Sequence, residues 1–109
     1  MELNEALKAI AALSQETRLE IIRYLVQCGE DGAAAGDIGK HVEATSSRLS
    51  FHLSALDHAG LVSSERQSRH IIYKADHQRL GGLISFLLND CCGNHPDITA
   101  CCIPSNECC

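Results

Sequence analysis

Between residues 3 and 13 the apolar side chains Leu3, Ala6, Leu7, Ile10 and Leu13 recur at spacings of three and four. That is the period of a helix with one buried face. A second stripe, Leu19, Ile22, Leu25 and Val26, follows Ser14, whose hydroxyl suits a helix N-cap, with Glu16 in the first turn. It ends near Cys28-Gly29. Residues 30–34 read as a loop into a short helix around Gly36 to Val42, and Thr45-Ser46-Ser47 is a third start signal. The helix it opens buries Leu49, Leu53 and Leu56 and stops at Gly60. Two short helices joined by a tight connection predict a helix-turn-helix.

After Gly60 the period changes. Leu61-Val62-Ser63-Ser64 and Ile71-Ile72-Tyr73-Lys74 are brief β-prone runs on either side of the polar segment 65–70, which predicts a hairpin with a charged tip. Asp76 can cap a last helix reaching Leu88, in which Leu80, Leu83, Ile84, Phe86, Leu87 and Leu88 are apolar over more than one face. A helix so widely apolar at the end of a small domain packs against another copy. Cys28, at the end of an apolar helix, reads as a small buried hydrophobe. The expected fold is mainly α with a small β-hairpin, in the order α-α-α-α-β-β-α. It comprises one folded unit over residues 1–90 and a cysteine-rich tail over 91–109 that orders on binding.

Charge changes the picture of partners. The 109 residues carry a net charge of −5, which by itself discourages a nucleic-acid partner. The charge is unevenly placed: residues 1–43 carry −4, residues 44–75 carry +2 with three of the six histidines, and residues 76–109 carry −3. A basic surface confined to one third of an acidic chain is a footprint for DNA. It coincides with the helix opened by Thr45. In the stretch 45–53 the apolar positions Leu49, Phe51 and Leu53 are expected to hold the helix to the core, while Ser46, Ser47, Arg48 and Ser50 project. Short hydroxyls and an Arg suit base edges and phosphates in a major groove. Arg66 and Arg69, at the hairpin tip, are placed to reach neighbouring phosphates or the minor groove.

These stretches resemble a family. Residues 13–22 (Leu-Ser-Gln-Glu-Thr-Arg-Leu-Glu-Ile-Ile), residues 50–62 (Ser-Phe-His-Leu-Ser-Ala-Leu-Asp-His-Ala-Gly-Leu-Val) and residues 66–73 (Arg-Gln-Ser-Arg-His-Ile-Ile-Tyr) are similar to the winged helix-turn-helix repressors of the arsenical-resistance and zinc-responsive (ArsR/SmtB) family. The resemblance spans roughly residues 3 to 90. It implies a homodimer paired through the first and last helices, with Leu3, Leu7, Ile10, Leu80, Leu83, Ile84 and Leu87 at the interface. It implies double-stranded operator DNA as partner, released when an inducer binds. His52 lies inside the resembling motif, where it either reaches a phosphate or braces the helix.

The inducer is read from the cysteines. Six of seven (Cys91, Cys92, Cys101, Cys102, Cys108, Cys109) fall in the last 19 residues as three adjacent pairs. No apolar run of membrane-spanning length occurs and no signal-peptide pattern opens the chain, so a cytoplasmic protein with reduced thiols is expected, without membrane association. The family's common arsenic site lies in the recognition helix, which here has no cysteine. Its last-helix zinc site is incomplete, with Asp76 followed by His77 and Gln78 and with Asn89 and Cys92 at the far end. What remains resembles the variant repressors that bind trivalent arsenic through a C-terminal Cys-Cys pair and a further cysteine downstream. The chemistry agrees. Thiolates select thiophilic ions, As(III) is satisfied by three sulfurs, and structural zinc prefers four ligands from pairs spaced Cys-x2-Cys or wider. Cys91 and Cys92 with Cys102, or Cys101 in its place, are the expected ligands, and Cys108 and Cys109 are accessory. Sb(III), Bi(III), Cd(II) and Zn(II) remain open as alternatives for the same sulfurs, as does oxidant or reactive-sulfur sensing by the vicinal thiols. An enzyme is disfavoured: no Cys-x-x-Cys follows a strand in a βαβ setting and no phosphate-binding loop occurs. No organic cofactor is expected.

Overall fold

In the computed structural model, which describes residues 1–88 and 95–98, the elements follow one another as α1 (Leu3–Leu13), α2 (Glu16–Cys28), a 3-10 turn (Gly29–Asp31), β1 (Ala33–Ala34), α3 (Ala35–Val42), α4 (Ser46–His58), β2 (Val62–Gln67), β3 (His70–Ala75) and α5 (His77–Phe86). Helix α2 is the centre, touching α1, α3, α4 and β3. Its core face is Ile21, Ile22 and Leu25, whereas Leu19 and Val26, expected in the stripe, are exposed. Ile21, Leu25, Ile38, Leu56 and Leu61 are the largest fully buried side chains and bring α2, α3, α4 and the start of the hairpin to one point.

The α2 cap differs from expectation by one residue. Ser14 closes α1, donating to the carbonyl of Ala11, and Gln15 is the N-cap of α2, its Oε1 accepting the Arg18 amide at 2.9 Å. The longer Gln side chain spans the distance that Ser would cover from the same position, and leaves Ser14 to the preceding helix. Asp76 and Thr45 cap α5 and α4 as their residue types predict.

The hairpin is longer than the β-prone runs suggest. Strands β2 and β3 pair in antiparallel register from Val62 opposite Ala75 to Gln67 opposite His70, so the turn is only Ser68-Arg69, with Ser68 at φ 59°. The loop expected at 30–34 supplies a third strand: Ala33 and Ala34 pair with Tyr73 and Ile72, giving the order β1-β3-β2. Gly32 precedes it at φ +64°, where an added Cβ would collide with the carbonyl oxygen of Tyr73. Only glycine permits that approach.

Helix α1 shows two apolar faces. Ala6, Ala9 and Ala12 are buried against the protomer, while Leu3, Leu7 and Ile10 are 41–59% exposed. Helix α5 is tied to α1 by the Arg79–Glu5 ion pair at 2.9 Å. Arg79 also packs over Gly60, which lies at φ +77°. The Glu5 carboxyl sits below its ordinary range because it accepts the Glu2 amide and then the Arg79 guanidinium. No helix among the described residues is long and apolar enough to cross a membrane.

Candidate nucleic-acid interface

Leu49, Leu53 and Leu56 fix α4 to the core at spacings of four and three. About half a turn round the helix lies the opposite ridge, Ser47, Phe51, Ser54 and His58. Thr45 Oγ1 accepts the Arg48 amide at 3.4 Å. Ser46, Ser47, Arg48 and Ser50 are all exposed, Ser47 and Arg48 on the flank of α4 beside Gln15 and Thr17, and Ser46 and Ser50 on the flank toward Gly36 and Tyr73. Phe51 does not hold the helix to the core: it is 65% exposed, because the leucine stripe already fills the inward face.

His52 is half-buried and held in a contact between α2 and α4. Arg18 of α2 donates from Nε to His52 Nδ1 at 3.2 Å, and its guanidinium lies 5.4 Å from the Phe51 ring centroid. Phe51 meets the His52 ring edge-on at 5.7 Å. Burial, reinforced by Arg18 and Arg48, pushes the imidazole below its ordinary value. An unprotonated Nδ1 is what Arg18 needs as acceptor. Sequence reading missed Arg18, which lies in a resembling stretch but 34 residues before its partner. A cleft of about 470 Å³ opens beside this group, lined in part by Gln15, Thr17, Ser47 and Arg48.

On the hairpin, Arg66 and Arg69 are exposed at and beside the turn. Lys74 reaches Glu65 across the strands at 4.0 Å. The resulting surface couples a hydroxyl-rich helix face to a basic hairpin, the arrangement in which a helix enters a major groove and a wing reaches the adjacent backbone.

Residues 15–64 match the model for the bacterial regulatory proteins of the arsR family. The arsenical resistance operon repressor of Bacillus subtilis (strain 168) is 35% identical over 81 residues, covering 74% of this chain and 73% of that one. This chain belongs to the arsR family. An uncharacterized HTH-type transcriptional regulator of the same organism, YbzH, is 30% identical over 95 residues, covering 76% of this chain and 95% of its own. Among solved structures, an ArsR-like transcriptional regulator from Rhodococcus sp. RHA1 superposes with a TM-score of 0.73 at 29% identity over 89% of each chain. The homodimeric winged helix-turn-helix DNA-binding domain of Mb0332 from Mycobacterium bovis, a possible ArsR-family regulator, does so at 0.66 and 25% identity, covering 85% of this chain and 86% of that one. These arsR-family relatives are transcriptional regulators, and the fold of this chain is the winged helix-turn-helix.

The residues expected at a dimer surface divide in two. Leu3, Leu7 and Ile10 of α1, with Ile84 of α5 and Leu87 just beyond it, are exposed. Leu83 is 6% exposed and belongs to the protomer's own core, and Leu80 is half-buried against that core, because α5 turns this side toward α1. The expected inducer ligands Cys91, Cys92, Cys101 and Cys102 lie outside the described residues, as do Cys108 and Cys109. Among the described residues Cys28, half-buried, is the only cysteine, and no group of three or more His, Cys, Asp or Glu is placed to hold a metal ion. Asp76, which opens the family's last-helix zinc motif, uses its carboxylate to cap α5, accepting the Arg79 amide at 2.9 Å.

Proposed function

We propose that this arsR-family chain is an As(III)-responsive repressor that binds operator DNA as a homodimer. It lets go when thiolates just past α5 take up the inducer. The observation that carries the reading is the position of the cysteines in the sequence: Cys91-Cys92 begins five residues after Phe86, the last residue of α5, the helix on which Ile84 is exposed. The similar arsenical resistance operon repressor and the homodimeric structural relative support it.

In this reading α1 and α5 of two chains pair about a twofold axis, setting two α4 helices about 34 Å apart for successive major grooves. Arg79 links α5 to the reading head, pairing with Glu5 of α1 and lying over the Gly60 turn that ends α4. Three sulfurs, from Cys91, Cys92 and Cys102 or Cys101, hold As(III) as a pyramid. A change in α5 then displaces both reading heads together. Moving an operator from almost fully bound to almost free requires roughly 5 kcal/mol of differential affinity, and the bound operator weakens arsenite binding by the same factor.

Single replacements Cys91→Ser, Cys92→Ser and Cys102→Ser test it, with operator release followed against arsenite concentration. Loss of release in the first two variants, with DNA affinity intact, is the expected result. Release at the wild-type concentration in all three overturns the site, and release by oxidant alone, reversed by a thiol reductant, assigns the thiols to redox sensing instead.

A further inference from the structure

We infer that Phe51 reads a thymine in each operator half-site through its 5-methyl group, with Arg18 as the positioning residue that fixes the ring. The inference rests on the operator-binding reading above and deepens it. At 65% exposure Phe51 is the most exposed of the large hydrophobic side chains among the described residues. It belongs to neither the core nor the exposed apolar faces of α1 and α5. It stands in the ridge of α4 directly opposite the leucine stripe, and its neighbours there, Ser47 and Ser54, are small. The phenyl ring is therefore the one large apolar side chain that α4 leaves exposed, on the helix that carries the hydroxyls and Arg48.

A lone exposed hydrophobic needs no explanation in itself. This one is held. Arg18 reaches across from α2 to stack on the ring at 5.4 Å, and is itself fixed by its bond to His52 Nδ1. The His52 ring supports the phenyl edge-on from the same helix. Ring, guanidinium and imidazole form one braced unit, so the phenyl is presented outward at little cost in side-chain freedom. In the major groove the edges of A, G and C offer only polar groups, and thymine alone adds a methyl. A preoriented apolar probe on a recognition helix has one apolar target there. Serines at 47 and 54 give close approach without competing for it.

The test uses the full reduced chain and a duplex that it selects from a random library. Each thymine is replaced in turn by deoxyuridine, which removes only the methyl, and affinity is measured for the wild type and for Phe51→Ala. At one symmetry-related pair of positions, deoxyuridine is expected to weaken the wild type about fourfold per half-site and roughly fifteenfold at both, the worth of one buried methyl-sized group. Phe51→Ala is expected to bind thymine and deoxyuridine duplexes alike. A residue that merely supports the fold would lower affinity for both duplexes and leave the methyl effect in place. If no thymine contributes more than about twofold, or if the methyl effect survives in Phe51→Ala, the assignment is overturned. A wild-type chain that retains no duplex overturns the operator reading, and this assignment with it.

Discussion

The pairing surface assigned to α1 and α5 rests on side chains that the protomer leaves half uncovered, which fixes how much a second copy can gain from them. Leu7 is 53% exposed and Ile84 54%. Burying a whole Leu or Ile side chain is worth about 1.5–3 kcal/mol, so the uncovered half of each offers about 1 kcal/mol. A twofold axis counts every position twice. Replacing both residues by alanine, which keeps one carbon of four, therefore removes about 3 kcal/mol from the dimer and raises its Kd roughly a hundredfold. Sedimentation equilibrium across a concentration series measures this directly. Because the same atoms face away from the protomer core, circular dichroism and thermal unfolding at low concentration should show the fold intact. Leu19→Ala with Val26→Ala supplies the comparison: these residues are 46% and 42% exposed and belong to α2, not to α1 or α5. That pair is expected to leave the Kd unchanged. Equal Kd values for wild type and Leu7→Ala/Ile84→Ala, or equal weakening by both double variants, would refute the assignment of the surface.

Other consequences are as specific. Arg66→Ala and Arg69→Ala, on the hairpin, should each weaken binding to all duplexes alike and reduce the slope of log affinity against log salt by about 0.9 per phosphate contact, twice that for a dimer; an unchanged slope removes the residue from the backbone contact. His52 titrates below its ordinary value of 6.5 in the folded chain. The unfolded chain therefore takes up the proton first, and stability present above 6.5 is lost as pH falls. Urea midpoints between about pH 7 and about pH 5 should fall more for the wild type than for His52→Gln, and parallel profiles would contradict the burial of His52 beside Arg18. Gly32→Ala should cost about 2 kcal/mol or more and lower Tm by at least about 10 °C, because the methyl meets backbone. Gly29→Ala, at the same φ of +64° but with nothing within 4 Å, should cost clearly less, about 1 kcal/mol, read from the same melts.

Much of the architecture was legible along the chain, and the exceptions have physical reasons. The caps Thr45 and Asp76 and the stripe Leu49, Leu53, Leu56 carry strong local chemistry, and the structure places them as their residue types predict. Hydropathy alone predicts one buried face for α1, because it does not separate Leu3, Leu7 and Ile10 from Ala6, Ala9 and Ala12. The small alanines are the ones inside, since they let α1 approach α2 and α4 closely, and the larger residues are left outward. Ala33-Ala34 has no strand signal of its own. It pairs because Gly32 lets the backbone come against β3. Apolarity alone points Phe51 inward, whereas its phase places it two residues from one core leucine in each direction, on the far side of the helix. The bond between Arg18 and His52 joins positions that no short-range pattern connects. For the inducer ligands the sequence is the source: six cysteines in three adjacent pairs, all placed after the last residue of the folded helix.

The central claim is that thiophilic inducer and operator compete through α5. The most direct measurement titrates the reduced dimer with arsenite while counting arsenic bound per chain and recording operator affinity in the same samples. One arsenic per chain, with affinity falling in step and bound operator weakening arsenite uptake by the same factor, is the expected result. Arsenic bound with no change in operator affinity, or operator release with no arsenic bound, would contradict it.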